Sequence, residues 1–109
     1  MAFLRSQPQL PRVEVIAHYE LRHVPLILSI MPGILDYRRN FLDVAIGDFD
    51  IVTELWFADR ASFDLAMSAA TQPEAAARIA ADEALFLDRS ATRFVTVEER
   101  RSRPAASSC

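Results

Sequence analysis

The stretch Asp50-Ile51-Val52-Thr53-Glu54-Leu55-Trp56-Phe57-Ala58-Asp59-Arg60-Ala61-Ser62-Phe63 decides the fold. Ile51 to Phe57 is rich in β-branched and aromatic residues, which suit a pleated, half-buried surface. Alternation puts Ile51, Thr53, Leu55 and Phe57 on one face and Val52, Glu54 and Trp56 on the other. Both faces are largely apolar, which predicts a strand covered on both sides. Asp59 then stands at an N-cap position. Phe63, Ala66, Met67 and Ala70 follow at helical spacing, so the strand runs directly into a helix.

Upstream, Val13, Ile16 and Ala17 begin a helical stripe, with Tyr19, His23, Ile27 and Ile30 beside it. Pro25 lacks an N–H and clashes with the preceding turn. The spacing therefore predicts a kink or break near His23-Val24, with Pro25 opening a second segment. Pro32-Gly33 is a stop. Ile34 to Phe41 reads as a strand with Leu35, Tyr37, Arg39 and Phe41 on one face and Asp36, Arg38 and Asn40 on the other. Leu42 to Phe49 reads as the connection to the central strand, closing an antiparallel hairpin.

Downstream, Thr71-Gln72-Pro73-Glu74 reads as a capping box, with Thr71 as the N-cap. The helix it opens carries Ala76, Ile79, Ala80, Ala84 and Leu87 on one stripe. Thr92 to Glu98 is the last strand, and Met1 to Arg5 a very short first one. The order β-α-β-β-α-β predicts an α+β, ferredoxin-like split βαβ fold. Its helices cover one face of a four-stranded antiparallel sheet. The other face, apolar at Val52 and Trp56, needs a partner, and a second copy related by a two-fold axis is the simplest one. Residues 1–99 form a single domain in this reading, and 100–109 a loose tail.

At 109 residues and 51% hydrophobic, the chain is long enough to bury a core. Its 12 basic and 15 acidic residues give a net charge of −3, which does not suggest a nucleic-acid partner. No apolar run approaches membrane-spanning length and no signal-peptide pattern is present, so the sequence predicts a soluble, cytoplasmic protein. The single cysteine, Cys109, allows no internal disulfide and no cysteine-based metal site.

Met31-Pro32-Gly33-Ile34, Tyr37, Asn40 and Thr53-Glu54-Leu55-Trp56-Phe57-Ala58-Asp59 together resemble the EthD family of the dimeric α/β-barrel superfamily. Tyr19-Glu20-Leu21-Arg22-His23-Val24-Pro25-Leu26 is similar to that family's aromatic-x-x-x-His-x-Pro-Leu signature. Asp82-Glu83-Ala84-Leu85-Phe86-Leu87-Asp88 is similar to its Asp-Glu-x-x-Phe-Leu-Asp segment. The resemblance covers about residues 12 to 98. It implies two subunits packed sheet to sheet, with a pocket between sheet and helices in each. Families of this kind include cofactor-free isomerases, aromatic polyketide cyclases, monooxygenases, decarboxylases or dehydratases, and haem-degrading proteins, so the resemblance bears on fold more than on chemistry. The sequence departs from the family at its first strand, which is usually longer. Either the strand is short here or the assigned start lies downstream of the true one.

His23 is the leading acid/base candidate, because imidazole titrates near neutrality and a helix break can face a cleft. The bland alternative is a histidine that only caps the break. His18 lies five residues earlier, about 140° away around an α-helix. The two histidines are therefore expected on different faces, with His18 paired to Glu14 in solvent. Tyr37 can donate a hydrogen bond to an enolate or carbonyl oxygen, or be an ordinary core tyrosine. Tyr19 shares the His23 face. Thr53, Leu55, Phe57 and Phe94 are expected pocket walls, although such stripes are also plain core. Glu54 is a second acid/base candidate if its pKa is raised by burial, against the favoured reading of an ion pair with Arg38 or Arg39 across the hairpin. No phosphate loop, dinucleotide fingerprint, nucleophile elbow or zinc spacing is present, so neither a cofactor nor a metal is expected.

The leading expectation is a small cofactor-independent enzyme that moves protons on a hydrophobic cyclic or aromatic metabolite, as an isomerase, cyclase or dehydratase. The rival is a non-catalytic binding or accessory protein. A haem-binding or monooxygenase variant, with His23 as an axial ligand, ranks below both.

Overall fold

The structure, a computed structural model, describes residues 1–104. Cys109 and the end of the expected tail lie outside the described residues. The elements are β1 (Ala2–Leu4), α1 (Arg12–His18), a π-helical turn (Tyr19–His23), α2 (Val24–Ile30), β2 (Asp36–Ile46), β3 (Phe49–Trp56), α3 (Arg60–Ala70), α4 (Pro73–Ala84) and β4 (Arg93–Phe94). The four strands form one antiparallel sheet in the order β2-β3-β1-β4. This is the α+β, ferredoxin-like arrangement that the element order predicts.

The central strand behaves as its alternation dictates. Ile51 and Thr53 are buried beneath the helices, and Leu55 is half-buried beside them. β1 lies against β3 with Ala2 opposite Thr53 and Leu4 opposite Ile51, so Ala2 and Leu4 join the same inner face. One core cluster joins Leu4, Val15, Tyr19, Ile51, Phe86 and Leu87; a second joins Ile27, Met31 and Ala66. Tyr37 packs against both.

The irregularity falls at Tyr19–His23 and Pro25 stands in the first turn of α2, as expected, but the helix does not break there. It continues through a π turn in which the Val24 N–H bonds the carbonyl of Tyr19, five residues back. Pro25 has no N–H to offer and its ring crowds the preceding turn. Loosening that turn by one residue accommodates both facts without ending the helix. The stop falls at Met31, after which Gly33 takes φ +79°, the left-handed region glycine tolerates.

Three boundaries differ from expectation. β2 continues to Ile46 instead of ending at Phe41, with an irregular register between Phe41 and Ile46, and a two-residue turn at Gly47-Asp48 closes the hairpin. Gly47 takes φ +58° there, as a tight hairpin turn of this kind requires. Thr71 is not an N-cap. Its hydroxyl donates to the carbonyls of Met67 and Ser68, so it closes α3. The residue before a proline is driven into extended backbone, and Gln72 at ψ 140° therefore becomes the N-cap of α4, without a side-chain cap bond. Finally, β4 pairs with β1 only at Arg93 and Phe94; Met1 and Val95 exchange the last backbone bonds, and Thr96 to Glu98 have no strand partner.

The inner stripe of α4 also shifts. Ala84 is exposed, whereas Asp82 and Glu83 are partly buried on the side that faces the core. Leu35 is exposed as well, because it precedes β2 rather than belonging to its inner face. Among the described residues no helix is long and apolar enough to cross a membrane.

Asp59 caps α3 as the sequence indicates, accepting the Ser62 N–H at 2.7 Å. That bond holds its carboxyl below the usual aspartate range. A group whose folded pKa is depressed stabilises the fold above its unfolded pKa and loses that contribution as pH falls. Asp59→Ala should therefore lower the thermal midpoint at neutral pH more than at acid pH, and more than Thr71→Ala does. Equal midpoints for the two variants would show that the α3 cap is not the stronger of the two local contacts.

Candidate functional site

A cavity of about 290 Å³ lies between the sheet and the helices. β1 and β3 supply Ala2, Leu4, Thr53 and Leu55; the helical rod supplies Tyr19, His23, Ile27 and Met31; β2 supplies Tyr37 and β4 supplies Phe94. Tyr19, His23, Tyr37, Thr53, Leu55 and Phe94 are thus brought together around one cavity. Phe57 is not part of this lining. It stacks edge-on with Phe63 at 5.5 Å and lines a neighbouring groove of about 320 Å³ with Trp56 and Phe63.

Three hydroxyls form a chain across one wall. Tyr37 Oη donates to Tyr19 Oη at 3.2 Å, and Tyr19 Oη lies 2.5 Å from Thr53 Oγ1. With the Tyr37 proton on Tyr19, the Tyr19 proton is available to Thr53. Burial is the main cause that pushes both phenols above the ordinary tyrosine range. They therefore stay protonated donors, the state an oxyanion-stabilising group needs. The wall is braced from outside by Arg39. Its guanidinium takes Glu20 through two bonds of 2.7 and 2.6 Å and lies 5.0 Å from the centre of the Tyr37 ring. The hydrogen bond from Arg39 holds the Glu20 carboxyl low.

His23 is 3% exposed, inside the π turn. Its ring meets Tyr19 and Phe86 edge-on at 5.2 and 5.3 Å. Nδ1 lies 2.8 Å from Asp82 Oδ2, and Nε2 lies 3.9 Å from Glu83 Oε2. Arg89 donates to the other oxygen of Glu83 at 3.2 Å. The ring thus lies between the carboxylates of Asp82 and Glu83.

Two expectations are corrected. His18 does not pair with Glu14 on a solvent face; its Nε2 lies 3.0 Å from Asp82 Oδ1. In an α-helix five residues are well over one turn, but in a π turn they are close to one, so His18 and His23 come to the same carboxylate. Glu54 is not ion-paired with Arg38 or Arg39. It accepts a bond from Asn40 Nδ2 at 3.0 Å, while Arg38 pairs with Asp36 and Arg39 with Glu20. Its strand position puts it on the sheet face away from the cavity, beside the neighbouring groove.

Asp82, Glu83 and Arg89 were not among the candidates from the sequence. A signal existed for two of them: Asp82 and Glu83 open the Asp-Glu-x-x-Phe-Leu-Asp segment. Arg89 carried none. Among the described residues no group of three or more histidine, cysteine, aspartate or glutamate side chains is arranged to hold a metal ion.

The family model described as the EthD domain matches residues 7–90. No curated protein matches the chain.

Thr53 is 4% exposed and bonds Tyr19 through its hydroxyl. Tyr19→Phe would strand that hydroxyl, together with the Tyr37 hydroxyl that donates to Tyr19, and should cost about 1–3 kcal/mol in chemical denaturation. Adding Thr53→Val removes one of the two stranded groups and should recover part of the loss. A double variant no more stable than Tyr19→Phe alone would show that the phenol's packing, rather than its bond to Thr53, carries the effect.

Proposed function

The chain belongs to the EthD domain family, and from that premise we propose that it is a small enzyme moving protons on a hydrophobic cyclic or aromatic metabolite. The carrying observation is a buried histidine on an apolar cavity that a chain of three hydroxyls also lines. Such a make-up, apolar with a few convergent polar groups, suits a small-molecule site. His23 Nε2 takes a proton from a carbon next to a carbonyl. The electrons of that bond delocalise onto the carbonyl oxygen, and the Tyr37 hydroxyl turns from Tyr19 to donate to it. His23 then returns the proton to another atom of the ligand, which gives isomerisation, or the proton steps of cyclisation or dehydration. Tyr19, Thr53, Leu55 and Phe94 shape the cavity, and residues 1–99 are the working domain.

Proton abstraction can be read without knowing the substrate. A panel of cyclic ketones, lactones and phenols in D₂O should include members that take up deuterium with the protein present. His23→Ala should slow that exchange about 10²–10⁴-fold, and Tyr37→Phe should slow it less. Panel members that bind with no exchange at any pH would favour the binding-protein reading instead.

The same reading places a second copy on the outer face of the sheet. Val52 and Trp56 there are half-buried, and Phe3 beside them stacks with Phe49 at 5.6 Å. An apolar sheet face with charged edges is the kind of surface a two-fold related partner covers. Light scattering at micromolar concentration should give about twice the 12.3 kDa of one chain, and Trp56→Glu should lower it toward one chain by burying charge. A monomeric wild-type protein would sink the dimer.

A further inference from the structure

Asp82 is the one carboxylate that two imidazoles share, and it lies outside the cavity lining, whereas its neighbour Glu83 is part of that lining. An ionised carboxylate only accepts hydrogen bonds, so His23 Nδ1, 2.8 Å from Asp82 Oδ2, must carry a hydrogen. In the neutral ring the lone pair then sits on Nε2, which lies 3.9 Å from Oε2 of Glu83, a residue that lines the cavity with His23. The rings of Tyr19 and Phe86 fix the plane of His23 by edge contacts. They cannot choose between the two neutral tautomers, because these have the same shape. Only a group that distinguishes a donor from an acceptor can, and at Nδ1 that group is Asp82. His18 Nε2 lies 3.0 Å from the opposite oxygen, and against an ionised carboxylate it too must be the donor.

We infer that Asp82 is a positioning residue that selects the Nδ1–H tautomer of His23 and so aims a free Nε2 lone pair at the cavity. This rests on the proposal that His23 moves the proton, and it names the residue that makes His23 fit to do so. When Nε2 gains a proton, the Nδ1–H stays on Asp82, and the carboxylate, still ionised, stabilises the imidazolium. No proton passes to Asp82 in this arrangement; its work is orientation and charge. His18 reaches the same carboxylate only because the π turn brings residues 18 and 23 to one side of the helix.

Ring-nitrogen chemical shifts test this without turnover. In ¹⁵N-labelled protein, at a pH above the titration of the ring, His23 should show a protonated Nδ1 and an unprotonated Nε2. In Asp82→Ala the Nδ1 signal should move to the unprotonated range, in whole or in exchange with the protonated form. A wild-type His23 protonated at Nε2 would overturn the inference, even if Asp82→Ala failed to fold. So would an unchanged pattern in a folded Asp82→Ala protein. The two readings fail separately: loss of deuterium exchange in His23→Ala with no tautomer change in Asp82→Ala leaves the proposed function standing and removes this role. A correct tautomer with no exchange does the reverse.

Discussion

Pro25 has no amide hydrogen to give, and the turn before it is wound to suit. That constraint sets the rest of the site. A standard turn would have to break its ladder or end there, and the chain would then leave the sheet several residues early. Instead the helix widens between Tyr19 and His23 and continues to Ile30. The widened turn contributes both buried polar side chains of the rod, the Tyr19 phenol and the His23 imidazole. Backbone geometry forced by one residue type thus places two side chains whose chemistry has nothing to do with proline.

The second constraint is that polar groups taken into a core must find partners. Thr53 lies in the middle of a strand whose other inner residues are apolar, and Tyr19 meets it across the helix–sheet gap. Tyr37 extends the chain of hydroxyls, and Arg39 with Glu20 closes it off from outside. On the other side His23 is satisfied by Asp82. Sheet, helical rod and α4 are therefore tied together at the cavity by polar contacts as well as by Phe86 and Leu87. A chain that needs these contacts to fold has, in the same contacts, the beginnings of a site.

Strand alternation and helical spacing made the element order and the inner face of β3 legible, because burial there follows period directly. Tyr19, Thr53, Tyr37 and Leu55 all belong to that inner side, so their nearness to one another was legible for the same reason. Phe57 was misplaced because it follows the last residue of β3, where the pleat no longer fixes direction. The capping box failed on Thr71 because two local rules competed, and the restriction that Pro73 puts on Gln72 outweighed the hydroxyl's preference for a cap. The hairpin was read short because Leu42 to Ile46 lie outside the core, with Val44 78% exposed, so burial leaves no period to find. The pairing of His18 with His23 through Asp82 was invisible for a deeper reason. Periodicity assumes a constant 3.6 residues per turn, and the chain departs from that value where its chemistry is concentrated.

A π turn is, in effect, one residue more than an α-helix needs to cover the same distance. The site is accordingly sensitive to chain length at this point as well as to residue identity. Removing Leu21, which is 74% exposed, would take away that extra residue. Everything before the deletion would then rotate by about 100° relative to everything after it. Val15 and His18 could no longer keep their places while His23 kept its own.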